Sequence, residues 1–114
     1  MTGGAYGELP SLHVRVAGES MEPTLADGDR LLCRDLDERR PPQVGDVVVA
    51  RRPDRPGLLL VKRVVRRDPE GWWLEGDNPA ASDDSRVFGP VPDALVLGRA
   101  VVRWWPRPRW LRAR

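Results

Sequence analysis

One lysine and one corner serine carry the chemistry this sequence could perform. Lys62 is the sole lysine beside 18 arginines. A guanidinium stays protonated at any accessible pH, whereas burial can make a lysine amine give up its proton. The single lysine therefore stands where an arginine could not serve as a general base. Ser20 lies in Val16-Ala17-Gly18-Glu19-Ser20-Met21-Glu22-Pro23-Thr24-Leu25. Gly18 permits backbone angles closed to other residues, and Pro23 pushes Glu22 towards an extended conformation. The chain leaves a strand-like run here and turns sharply, so the Ser20 hydroxyl and N–H can both face a cleft. A serine hydroxyl is a poor nucleophile until a base removes its proton during attack. Ser20 and Lys62 could form such a pair. Taken singly, Ser20 also reads as a turn serine satisfying a nearby backbone group, and Lys62 as an amine snorkelling to water.

The segment Leu58-Leu59-Leu60-Val61-Lys62-Arg63-Val64-Val65 reads as a strand. Alternation then sets Lys62 on one face with Leu60 and Val64, and Arg63 on the other with Val61 and Val65. An apolar face disfavours the charged amine, at about 1.4 kcal/mol per unit of pKa. A Ser–His triad would require His13, the sole histidine, seven positions before Ser20 and in the preceding strand. Cys33 is the one cysteine; it rules out an intrachain disulfide and a thiolate metal cluster, and reads as a small buried hydrophobe.

The elements that must position these groups are mainly β. Alternating runs are expected as strands at 13–17, 30–34, 46–51, 58–67, 72–75 and 95–105, separated by Gly-, Pro- and Asp-rich turns. Asp68-Pro69-Glu70-Gly71 is short enough for a hairpin. Helix is expected only as a turn or two, near 21–25 and 36–39. The 114 residues suit one small domain, a folded β-sheet or barrel-like sandwich over residues 13–105, with an N-terminal extension at 1–12 and a basic Arg/Trp tail at 106–114. The tail is expected to fray, and 77–92 to be a long irregular loop of the kind that carries function. No apolar run exceeds that at 58–61, and residues 1–10 lack the pattern of a secretory leader. A cytoplasmic protein without a transmembrane segment is the expectation.

The chain also resembles the signal peptidase I-like (S26) serine proteases. The resemblance is carried in order by Gly18-Glu19-Ser20-Met21-Glu22-Pro23-Thr24-Leu25, Gly45-Asp46-Val47-Val48, Lys62-Arg63-Val64, and Gly76-Asp77-Asn78 with Ser82-Asp83-Asp84-Ser85-Arg86 and Gly89. It implies Ser20 as acylating nucleophile, Lys62 as base, Ser82 as the serine that orients the lysine, an Asp84–Arg86 ion pair bracing the site, and Gly76 as room for the lysine. Gly18 and Met21 then flank the nucleophile at the substrate. Some family members carry an oxyanion-binding serine where Gly18 stands. The oxyanion would here rest on the Ser20 N–H with a further backbone or water donor, and one lost donor can cost about 10²–10³ in rate.

Within that family the chain resembles the short, soluble branch of nickel-type superoxide dismutase maturation proteases, through Leu97-Gly98-Arg99 and Trp104-Trp105-Pro106. The substrate that this implies is a precursor protein, the dismutase with its N-terminal leader. The nickel belongs to the product, and no metal or other cofactor is expected in this chain. LexA-like (S24) autoproteolytic domains share Ser20-Met21-Glu22-Pro23-Thr24 and Lys62-Arg63, and stand as an alternative beside a generic signal peptidase. A non-enzymatic module binding anionic polymers through Arg and Trp would leave the Ser, Lys and Gly-Asp-Asn boxes unexplained. No nucleic-acid partner is expected.

Overall fold

The computed structural model describes residues 12–114; the expected N-terminal extension lies outside the described residues except for Leu12, which already belongs to the first strand. The strands are β1 (Leu12–Arg15), β2 (Arg30–Asp35), β3 (Val47–Arg52), β4 (Arg55–Asp68), β5 (Gly71–Glu75), β6 (Val96–Trp105) and β7 (Arg109–Trp110). They build one antiparallel sheet in the order β1-β2-β6-β3-β4-β5, with β7 paired to β6. The fold is mainly β as expected, and among the described residues the sheet does not close into a barrel: β1 and β5 end the strand order, with only a Trp72–Val91 bridge beyond β5.

β3 explains how one sheet supports two cores. Val47 and Val49 join a cluster with Val16, Met21, Leu25, Leu31, Cys33 and Ala100, while Val48 and Ala50 join Val64, Leu74, Val91 and Val96. Successive side chains point to opposite faces, so an unbroken apolar run is what a strand covered on both faces requires. Met21 and Leu25 belong to a loop, yet both are fully buried. Each contributes roughly 1.5–3 kcal/mol by burial, and together they anchor the Ser20 corner to the sheet. Burial also pushes the Cys33 thiol up to about 12, which makes it an inert packing group.

Several expectations are corrected. The stretch at 36–39 is a tight turn closed by the Asp37–Arg40 bridge, because the Asp37 carboxylate accepts from the backbone N–H of Arg39 and Arg40 at 2.8 and 3.0 Å. The expected turn at 21–25 is present, with the Leu25 N–H on the Met21 carbonyl at 2.9 Å. The segment at 77–92 is more ordered than expected. It holds a 3₁₀ turn, Pro79–Ala81, and a one-turn helix α1 (Ser85–Phe88) capped by Asp84, with a further 3₁₀ turn at Asp93–Leu95. The tail does not fray. Pro106 and Pro108 turn the chain back, β7 pairs with Val102 and Arg103, and Leu111 packs on the first core cluster.

Candidate active site

The corner that carries Ser20 is built by local hydrogen bonds. Gly18 adopts φ 84, and its N–H is taken by Asp27 Oδ1 at 2.8 Å. Glu22 N–H closes on the Glu19 carbonyl at 3.1 Å. From the far side of the site, Asn78 gives its backbone N–H to the Ser20 carbonyl at 2.8 Å and its side-chain amide to the Glu19 carbonyl at 3.1 Å. Among the described residues, the Ser20 N–H carries no hydrogen bond and is free to face a ligand.

Lys62 is 4% exposed, on the β4 face predicted by alternation. Its Nζ lies 3.2 Å from Ser82 Oγ, and Ser82 gives its hydroxyl proton to Asp84 Oδ2 at 2.6 Å. Asp84 is fully buried and also accepts from Gly76 N–H at 2.9 Å, from Arg86 N–H at 3.1 Å, and from the Arg86 guanidinium at 2.6 and 2.9 Å. Burial alone would raise the Asp84 carboxyl; the hydrogen bonds from Arg86, Ser82 and the two backbone N–H groups outweigh it and hold it well below the usual carboxylate range. The Ser82 proton is therefore committed to a permanent anion. Its remaining lone pairs can only accept, so the amine must give Ser82 an N–H. In the neutral amine that leaves the nitrogen lone pair to point elsewhere.

Burial lowers the Lys62 pKa from the ordinary lysine value; attraction from Asp84 and Asp83 opposes this, and repulsion from Arg86 and Arg52 adds to it. Between the lowered folded value and the unfolded value near ~10.4, the unfolded chain binds the extra proton, so stability rises with pH. The charged amine thus destabilises the fold fully below its folded pKa, and the cost vanishes above the unfolded one. Lys62→Met is expected to be more stable than the parent chain at neutral pH, with the advantage shrinking towards about pH 10. Denaturant titrations at the two pH values measure this; an equal gain at both would show that the amine is not held charged against its surroundings.

Ser20 and Lys62 line the same two hollows. One, of about 260 Å³, runs between β1 residues such as His13 and Val14 and β4 residues Leu59, Leu60 and Val61. The other, of about 500 Å³, adds Gly18, Arg52, Ala81 and Ser82. The two groups thus meet at the junction of one cleft, and among the described residues no hydrogen bond joins them. His13 lines the first hollow without a hydrogen bond to Ser20 or Lys62. Backbone edges face each other across it: among the described residues β1 pairs with β2 alone, and β4 is paired by β3 but not by β5 before Arg63. An extended peptide fits between such edges by strand addition.

Gly76 makes room beside the serines, and Met21 is placed differently from expectation. A Cβ at Gly76 would come within 2.5 Å of the Ser20 carbonyl and would collide with Ser82, so the glycine gives room to the Ser20 backbone and to the serine that holds the lysine. The Met21 side chain is 1% exposed and sits in the core, which leaves Gly18, but not the Met21 side chain, at the cleft.

A second network was not assigned from sequence. Asp77 accepts from Thr24 Oγ1 at 2.5 Å and from Arg63 Nε and Nη2 at 3.1 and 2.7 Å, and Arg63 Nη1 donates to the Gly45 carbonyl at 2.8 Å. Burial alone would raise the Asp77 carboxyl, but these bonds lower it. The Ser20 corner is thereby pinned to β4 on the face opposite Lys62. The signal was Asp77 itself, an acid between the Gly76 and Asn78 that flank it. Among the described residues, no group of three or more His, Cys, Asp or Glu side chains is placed to hold a metal, and no helix is long and apolar enough to cross a membrane.

The family model described as Peptidase S24-like matches residues 8–101. Mitochondrial inner membrane protease subunit 1 of Xenopus tropicalis is 40% identical over 79% of this chain and 66% of its own length. The Homo sapiens subunit 1 is 34% identical over 82% of this chain and 69% of its own, and subunit 2 of Saccharomyces cerevisiae is 30% identical over 84% and 69%. The chain thus spans about two thirds of the length of these relatives.

Proposed function

The chain belongs to the Peptidase S24-like family and is similar over 79–82% of its length to mitochondrial inner membrane protease subunits, and from that premise we propose that it is a serine endopeptidase with a Ser20/Lys62 dyad. The observation that carries the reading is the buried Lys62 amine, held by Ser82 and Asp84 at the junction where Ser20 also lies. Lys62 takes the Ser20 proton as the hydroxyl oxygen attacks the scissile carbonyl. The resulting oxyanion is met by the unspent Ser20 N–H. The Gly18 N–H, already given to Asp27, does not supply the second donor, which falls to another donor. Lys62 returns the proton to the leaving amine, then activates the water that hydrolyses the acyl-enzyme. Ser82 and Asp84 orient the amine, and Arg86 keeps Asp84 ionised.

The proposed substrate is a precursor protein that loses an N-terminal leader, specifically nickel-type superoxide dismutase on the strength of the sequence resemblance. Co-expression with a leader-bearing dismutase, followed by N-terminal sequencing of the product, tests it. A dismutase with an intact leader would remove that substrate. The hollow between β1 and β4 is small, so the residues next to the scissile bond are expected to be small; efficient cleavage after Phe or Lys would contradict this. The S24-like match also supports a second reading, self-cleavage, which predicts a rate independent of protein concentration.

A further inference from the structure

We propose that residues 106–114 form a strap that positions the Ser20 corner, with Arg109 and Arg114 as its positioning residues. The family match ends at residue 101, before this strap. The chain beyond β6 folds back along the sheet. Arg103 Nε donates to the Arg107 carbonyl at 3.1 Å, β7 pairs with β6, and Leu111 N–H closes on the Val101 carbonyl at 2.9 Å. Leu111 then packs against the cluster that also holds Met21 and Leu25.

Two guanidiniums leave this strap for the site's supports. Arg109 Nη2 donates to the Thr24 carbonyl, four residues after Ser20. Arg114 Nη2 donates to Asp77 Oδ1 at 3.1 Å, the carboxylate already shared by Thr24 and Arg63. The strap is seated by a close backbone approach: the Arg114 N–H reaches the Gly45 carbonyl at 3.2 Å. Gly45 has φ +96, and a Cβ there would lie 2.5 Å from the Arg114 carbonyl oxygen and 2.8 Å from its nitrogen. A glycine at a left-handed position against foreign backbone marks a contact that the fold requires.

Both ends of the dyad feel this strap. Thr24 ends the Ser20 corner, and Arg63 follows Lys62 on β4. Because Arg109 and Arg114 are themselves exposed, they add little to global stability. Their effect is on geometry, where small misplacements of reacting groups carry large rate losses.

The test compares the full chain with Arg109→Ala/Arg114→Ala, and Arg114→Ala with Arg114→Lys. In the double variant, amide hydrogen exchange over residues 18–25 is expected to accelerate about tenfold, with exchange in β3 unchanged. Acylation of Ser20 by p-nitrophenyl acetate is expected to fall about 10–100-fold in maximal rate at unchanged half-saturation. Arg114→Lys, which can still donate to Asp77, is expected to recover most of the loss in Arg114→Ala. The acylation arm rests on Ser20 being the nucleophile, but the exchange arm does not. A parent chain that p-nitrophenyl acetate fails to acylate would count against that nucleophile and leave exchange to decide the strap. Parent-like exchange over 18–25 would overturn the strap, as would acceleration spread equally through β3 with no recovery by Arg114→Lys.

Discussion

Lys62→Arg is expected to be as inactive as Lys62→Ala, with cleavage down about 10²–10⁴-fold in both. Arginine keeps the charge and much of the length of lysine but cannot give up its proton. The structure adds an electrostatic reason, because repulsion from Arg86 and Arg52 disfavours a permanent cation where the Lys62 amine donates to Ser82. The parent rate is expected to rise with pH as the amine loses its proton. Burial lowers the Lys62 pKa, so the rise falls below the ordinary lysine value of about 10.4. Lys62→Arg should show no such rise. Single-turnover cleavage of a leader-bearing precursor across pH measures both. If Lys62 were a charge anchor for substrate, Lys62→Arg would keep substantial activity and the parent profile would be flat.

Ser20→Ala is expected to remove about 10⁴-fold or more of the cleavage rate, since losing a nucleophile removes the covalent route altogether. Its fold should survive. The corner is held by Met21 and Leu25 in the core and by Asn78, Asp27 and Asp77 through hydrogen bonds, none of which uses the Ser20 hydroxyl. Matching unfolding midpoints with lost cleavage would separate chemistry from stability; parent-like turnover would remove Ser20 from the mechanism.

Much of this arrangement was legible because strands write their faces into alternate residues. The period of two placed Lys62 with Val64, away from Arg63, and the six expected strands recur with ends shifted by a few residues. Ser82, Asp84 and Arg86 were legible through a family pattern; composition alone would have left Asp84 and Arg86 as surface charges. Met21 was misread because its neighbour faces the cleft, whereas a sharp corner sends successive side chains in opposite directions and drives this one into the core. Asp77 and the strap were harder still. Their partners, Thr24, Arg63, Gly45 and Arg114, are remote in sequence, so only the folded sheet brings them together. The stretch at 36–39 lost its expected helical turn to the Asp37 side chain, a local competitor that periodicity does not see.

The most direct measurement is rapid quenching of the parent chain with a leader-bearing precursor, followed by peptide mapping of the acylated protein. A dyad of Ser20 and Lys62 predicts an ester-linked acyl group on Ser20, formed in the parent and missing in Lys62→Arg. An acyl group on another residue, or cleavage that passes through no covalent adduct, would contradict it.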